Sequence, residues 1–172
     1  MVIKMRIKSN KGLSAILTTM FYLLIAVIIL GIVTASAIEL ISKSREEGNY
    51  RVMLDSFIKL KSAIEDTVED KQDIEIVIIN PGEINIDCNN NIITGEVDYL
   101  GEYKEDIMQI NDIVTYKNNN EIYFEYNLDN YTRITLDCNS LSLSKNKNNL
   151  NIKYLEYDEE NDDILVSIDF VE

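Results

Sequence analysis

Between Lys11 and Glu39 the chain carries no charged side chain, and that gap limits what it can fold into more than any other feature. The run from Leu13 to Ile38 reads LSAILTTMFYLLIAVIILGIVTASAI. As a helix its roughly 26 residues extend about 39 Å, against a hydrocarbon core of about 30 Å. The run is long enough to cross a bilayer. A cleavable secretory signal has a shorter apolar region of about 7 to 15 residues, so the small-residue site imitated by Ala35-Ser36-Ala37 fits poorly with removal of the whole segment.

Charge divides the chain at the same place. Lys4, Arg6, Lys8 and Lys11 are the only charged residues before Glu39. The first 38 positions therefore carry about +4 and the remainder about −18. By the positive-inside rule, the N-terminus is expected to stay cytoplasmic and the C-terminal domain to lie outside. So acidic a domain repels phosphate backbones, which need clustered Lys and Arg, and nucleic acid is not an expected partner. The chain has no histidine, which removes the side chain best suited to proton transfer near neutral pH and the commonest transition-metal ligand. No phosphate-binding glycine loop or metal-ligand spacing appears, so no enzyme activity, cofactor, metal or small-molecule substrate is expected.

The helical pattern continues past the span. Met53, Phe57, Leu60, Ile64 and Val68 recur every three or four residues with charged residues between them, the signature of an amphipathic helix. No proline interrupts Leu13 to Asp70, so one long helix with a bend near Gly48-Asn49 is the simplest reading. Beyond Lys71 the texture becomes alternating β-branched and aromatic runs separated by Asn-rich turns, giving eight or nine strands. The expected class is α+β: a long N-terminal helix, transmembrane in its first half and amphipathic in its second, packed on an antiparallel β-meander. The expected segments are a leader over 1–12, a span over 13–41, an amphipathic continuation over 42–71 and an extracellular β-domain over 72–172.

Cys88 and Cys138 both fall in the outer half, where oxidising conditions let a disulfide persist. A bridge closing about 50 residues would contribute roughly 4 kcal/mol in the chain-entropy model; the other reading is two buried thiols. Both cysteines end alternating runs, Ile84–Asn89 and Ile134–Asn139, that each finish in Asp-Cys-Asn. The echo suggests that they face each other at one edge of a single sheet.

The segment Lys8-Ser9-Asn10-Lys11-Gly12-Leu13-Ser14-Ala15 joins a short basic leader and a glycine directly to the apolar helix. It resembles the prepilin leader of the type IV pilin superfamily, archaeal pilins and archaellins in particular. The resemblance implies that a membrane prepilin peptidase cuts after Gly12 and that Leu13 begins the mature subunit. It implies partners of the same kind, other pilin-like subunits packed helix to helix, with Ala26, Gly31, Ala35 and Ala37 as small residues that allow close approach. The fifth mature position is Leu17, where bacterial pilins carry a glutamate, which shifts the likeness toward archaea. Such surface proteins are frequently glycosylated, and Asn130-Tyr131-Thr132 is an N-glycosylation sequon. The acidic run Glu156 to Asp163 lacks the spacing of an EF-hand loop and reads as a solvated hairpin.

These readings lead to a structural subunit, a minor component of an archaeal type IV pilus-like filament. The alternative is a single-pass membrane-anchored envelope protein with an acidic extracellular binding domain. The two differ in whether the chain is cut at Gly12.

Overall fold

The computed structural model describes residues 10–99, 107–131, 133–159 and 162–171, with side chains from Ile16 onward except Tyr131. The chain forms two compact units, Met1–Ser42 and Lys43–Glu172. It is an α+β protein that opens with one long helix, α1, over Asn10–Asp70. The helix runs through Gly48 without a break. It stops where Lys71 takes a left-handed backbone with φ of 53°, the conformation that ends many helices.

Ten strands are described in the second unit: β1 (Ile74–Asn80), β2 (Glu83–Asp87), β3 (Ile92–Asp98), β4 (Ile107–Ile110), β5 (Ile113–Asn118), β6 (Glu121–Asn127), β7 (Ile134–Leu136), β8 (Leu141–Leu143), β9 (Asn146–Asp158) and β10 (Asp163–Phe170). A one-turn helix, α2, occupies Leu128–Tyr131. Asn91, Asn111, Asn119 and Asn146 have positive φ, so asparagine does take over the turn positions that glycine commonly fills. The last two strands pair antiparallel, with Asp158 opposite Asp163; Glu160 and Asn161 of their connection lie outside the described residues.

A single antiparallel meander is not what forms. The strands divide into a four-stranded sheet, ordered β1-β9-β10-β7, and a six-stranded sheet, ordered β4-β5-β6-β3-β2-β8. One pairing is parallel, β7 with β10. Ten strands side by side would spread over about 43 Å at the usual spacing, far wider than the stripe of one helix about 10 Å across can cover. Division into two sheets lets their inner faces share one core with the helix.

Met53, Phe57, Leu60, Ala63 and Ile64 of α1 are buried in that core with Ile76 and Ile78 of β1, Ile93 of β3, Phe124 and Tyr126 of β6, and Ile152 of β9. The Phe57 and Phe124 rings stack at 5.3 Å between centroids, and Tyr50 stands 5.6 Å from Phe124. Phe57 and Met53 can approach β3 because residue 95 is glycine. A Cβ there would lie 2.6 Å from Phe57 Cε2 and 2.9 Å from Met53 Cε.

The outer edge of β1 is closed by helix side chains. Lys59 Nζ donates to the Val77 carbonyl at 2.7 Å, and the Ser56 hydroxyl lies 2.8 Å from the Ile79 carbonyl oxygen. The outward Val77 acceptor is thereby occupied, and the Ile79 carbonyl has a hydroxyl within reach that can also donate to the Val52 carbonyl at 2.8 Å, which discourages another strand from pairing there.

Gly95→Ala is expected to lower stability by about 1–3 kcal/mol through overpacking. Urea denaturation of the variant beside the parent measures it, and an unchanged midpoint would contradict the close helix–sheet contact.

Candidate assembly surface

In the Met1–Ser42 unit, every described side chain is exposed, from Ile16 to Ser42. Phe21 is 65% exposed, Leu30 67% and Ile41 67%. Among the described residues, α1 is the one helix long and apolar enough to cross a membrane. It is apolar all the way round. A helix of that kind needs an apolar medium or neighbours on every side, unlike the one-sided stripe of a helix on a protein surface. Its hydroxyls need not oppose such burial, since Thr34 Oγ1 donates to the Leu30 carbonyl at 2.8 Å within the helix.

Ala26, Gly31 and Ala35 are all exposed on this helix, and a Cβ on Gly31 would meet nothing within 4 Å. Their spacing does not make one seam. Gly31 and Ala35, four apart, share a face, whereas Ala26 and Ala35, nine apart, point about 180° from each other at 100° per residue. Places for close approach are therefore distributed round the helix. Gly12 and Leu13 lie in the first turns of α1, while residues 1–9 of the leader lie outside the described residues.

In the second unit, Cys88 follows β2 and Cys138 follows β7, and a disulfide joins them with Cα atoms 5.7 Å apart. β2 and β7 belong to different sheets, so the bridge ties one sheet to the other. It does not close one edge of a single sheet, as the sequence echo suggested. Beside it Asn91, 5% exposed, uses its whole side chain. Its Nδ2 donates to the Asp129 carboxylate and to the Ile134 carbonyl at 2.8 Å, and its Oδ1 accepts from the Leu136 amide at 3.0 Å.

At a second seam Asn80, 2% exposed, donates to the Gly82 carbonyl at 2.9 Å and the Leu143 carbonyl at 3.1 Å. Its Oδ1 accepts from Asn148 Nδ2 at 2.7 Å. β1 and β9 are thereby joined to β8 of the other sheet. Neither asparagine was singled out in the sequence as buried, because composition reads both as turn residues. Position offers one signal, since Asn80 precedes Pro81-Gly82 and Asn91 closes a run of three asparagines.

The outward face of the six-stranded sheet is acidic. Glu83 stands opposite Glu96 and Asp98 opposite Glu121, like charges in cross-strand contact, an arrangement that costs stability. Tyr116 and Tyr123 stack beside them at 5.4 Å. Tyr123 donates to Glu121 at 2.7 Å, which together with desolvation pushes its phenol up to about 12. Along the acidic run, Arg133 pairs with Asp162, and Tyr157 donates to the same carboxylate, which raises its pKa. Among the described residues no group of His, Cys, Asp or Glu side chains could hold a metal ion. Asn130 is exposed on α2; Thr132, the third residue of its sequon, lies outside the described residues.

No protein-family model, curated protein or solved structure matches this chain.

Two outcomes follow for the second unit. Replacing Cys88 and Cys138 together by serine is expected to lower stability by about 2–4 kcal/mol; thermal melts with and without reductant check it, and identical melts would contradict the clamp. The Asn90 side-chain amide, 2.6 Å away, with the Asn89 and Asn90 backbone amides and the Ser140 hydroxyl, holds the Asp87 carboxyl below its ordinary 3.8. A depressed folded pKa means that the carboxylate stabilises the turn above the unfolded value and that this contribution is lost as pH falls through the lower folded one. An NMR titration should give Asp87 a midpoint under 3.8, with Asn90→Ala moving it upward. A midpoint unmoved by Asn90→Ala would remove that amide as the cause.

Proposed function

We propose that this chain is a pilin-like structural subunit, a minor component of an archaeal type IV pilus-like surface filament. The observation that carries the reading is the wholly exposed apolar stretch of α1, which finds no cover in its own unit. Lipid can cover it first, with the basic leader on the cytoplasmic side and the Lys43–Glu172 unit outside. A prepilin peptidase would then cut between Gly12 and Leu13 and remove four positive charges that hold the helix in the bilayer. Freed of them, the helix can leave lipid and pack among copies of itself or related subunits, where small residues on several faces allow neighbours in several directions.

The second unit supports the outer role in this reading. A disulfide and two buried asparagine clamps suit a domain displayed outside the cell, and its size and acidity exceed what building a filament core requires, hence a minor subunit. Asn130 would carry a glycan, detectable as a fall in intact mass in Asn130→Gln. The chemistry is that of assembly, not catalysis.

Gly12→Leu is expected to keep the leader attached, hold the chain in the membrane and remove it from sheared surface filaments. Intact mass of the two forms, together with electron microscopy, checks this. A variant and parent with the same uncut N-terminus would favour the membrane-anchored envelope protein with an acidic binding domain.

A further inference from the structure

The outward face of the six-stranded sheet joins aromatic rings to carboxylates. Strand register sets Ile107, Tyr116, Tyr123, Glu96 and Glu83 in one row across β4, β5, β6, β3 and β2. Asn118, Glu121 and Asp98 form the neighbouring row. Alternating burial turns both rows away from the core. At the usual strand spacing the first row is about 19 Å long. One end carries Ile107, 67% exposed, and Tyr116, 36% exposed, with the Tyr116 and Tyr123 rings stacked within 11° of parallel. The other end is acidic, and among the described residues alternation places no lysine or arginine at an outward position of these strands. Lys145 approaches from the connection between β8 and β9, 3.7 Å from Asp98.

The arrangement costs stability. Glu83 and Glu96 are cross-strand partners, as are Asp98 and Glu121, and like charges so placed repel. A glutamine at any of these positions would keep the strand and remove the repulsion. Departures from local preference of this kind gather where a protein binds something. What this face can bind follows from its chemistry. Phosphate and nucleic acid are repelled, and among the described residues no group of side chains could hold a metal ion. A guanidinium suits both ends of the row, since it pairs with a carboxylate through two parallel N–H donors and stacks on an aromatic ring, whereas the ammonium of lysine is a compact, strongly hydrated point charge. The other sheet is a poorer site for a cation, with Lys147 and Lys153 on its outer face and Lys153 3.0 Å from Asp169.

We propose that this face docks a partner protein through an extended, arginine-bearing segment, about six residues long where it crosses the row. Its arginines lie over Tyr116 and Tyr123 and pair with Glu96, Glu83 and Glu121, and an apolar residue of the segment covers Ile107. The inference goes beyond the assembly reading and does not require it, since the face belongs to the Lys43–Glu172 unit whether the chain enters a filament or stays in the membrane.

The test uses the full chain in nonionic detergent micelles and a fluorescent dodecapeptide that alternates arginine and serine, with fluorescence anisotropy as the readout. The expected result is saturable binding that weakens about threefold when lysine replaces arginine in the peptide. Glu96→Gln with Glu121→Gln should weaken binding about tenfold while raising the melting midpoint, because the pair of changes relieves the like-charge contacts. Glu75→Gln with Glu156→Gln, the same change of charge on the other sheet, should leave binding within about twofold. Tyr116→Leu, which alters no charge, should weaken binding about threefold. Equal losses from the two glutamine pairs, or equal binding of the lysine and arginine peptides, would overturn the proposal by reducing the attraction to net charge. Binding unchanged by Tyr116→Leu in a variant that melts with the parent would also overturn it, as would a parent chain that does not bind the arginine peptide.

Discussion

Burial of one stripe of α1, Met53, Phe57, Leu60 and Ile64, is the interaction on which the Lys43–Glu172 unit depends. Two sheets contribute inner faces to the same core, and the aromatic contacts of Phe57 and Tyr50 with Phe124 join helix to sheet. A glycine at position 95 sets how near the helix can come. Ahead of this stripe the same helix is apolar on every side and wholly exposed. One element thus carries two solutions to the hydrophobic effect, one completed within the chain and one that requires an apolar surrounding which the described residues do not supply.

Splitting ten strands into two sheets creates seams, and the chain closes them with polar and covalent links. The Cys88–Cys138 bridge and Asn91 hold β2 and its following turn to β7, while Asn80 holds β1 and β9 to β8. A buried amide with all its hydrogen bonds made is specific in a way that apolar contact is not, because a slipped register would leave its groups unpaired at a cost of about 1–3 kcal/mol each. The acidity of the six-stranded face does not help the fold. Its like-charge cross-strand pairs are tolerated at the surface, where water screens them.

Much of this was legible in the sequence because it follows from periodicity. The 3.6-residue spacing of Met53 to Val68 identified the amphipathic helix, the uncharged run identified the membrane-length segment, and alternation located nine of the ten strands. β4 escaped because its sequence, Ile107-Met108-Gln109-Ile110, does not alternate apolar with polar, although its exposure does, with Ile107 and Gln109 exposed and Met108 and Ile110 half-buried. Sheet membership escaped for a different reason. Alternation says which side chains share a face and nothing about which strand lies next, so the parallel pairing of β7 with β10 and the cross-sheet position of the disulfide needed the tertiary structure. Asn80 and Asn91 looked like ordinary turn residues because a turn asparagine whose amide faces water and one whose amide faces a seam have the same neighbours in sequence.

The central claim is that the exposed apolar helix is covered first by lipid and then by other subunits, with removal of the leader as the step between. Intact mass and N-terminal sequencing of the protein sheared from the cell surface, beside the protein left in the membrane, test it most directly. The account predicts a surface form that begins at Leu13. A chain that begins at Met1 or Val2 and stays entirely in the membrane fraction would contradict it.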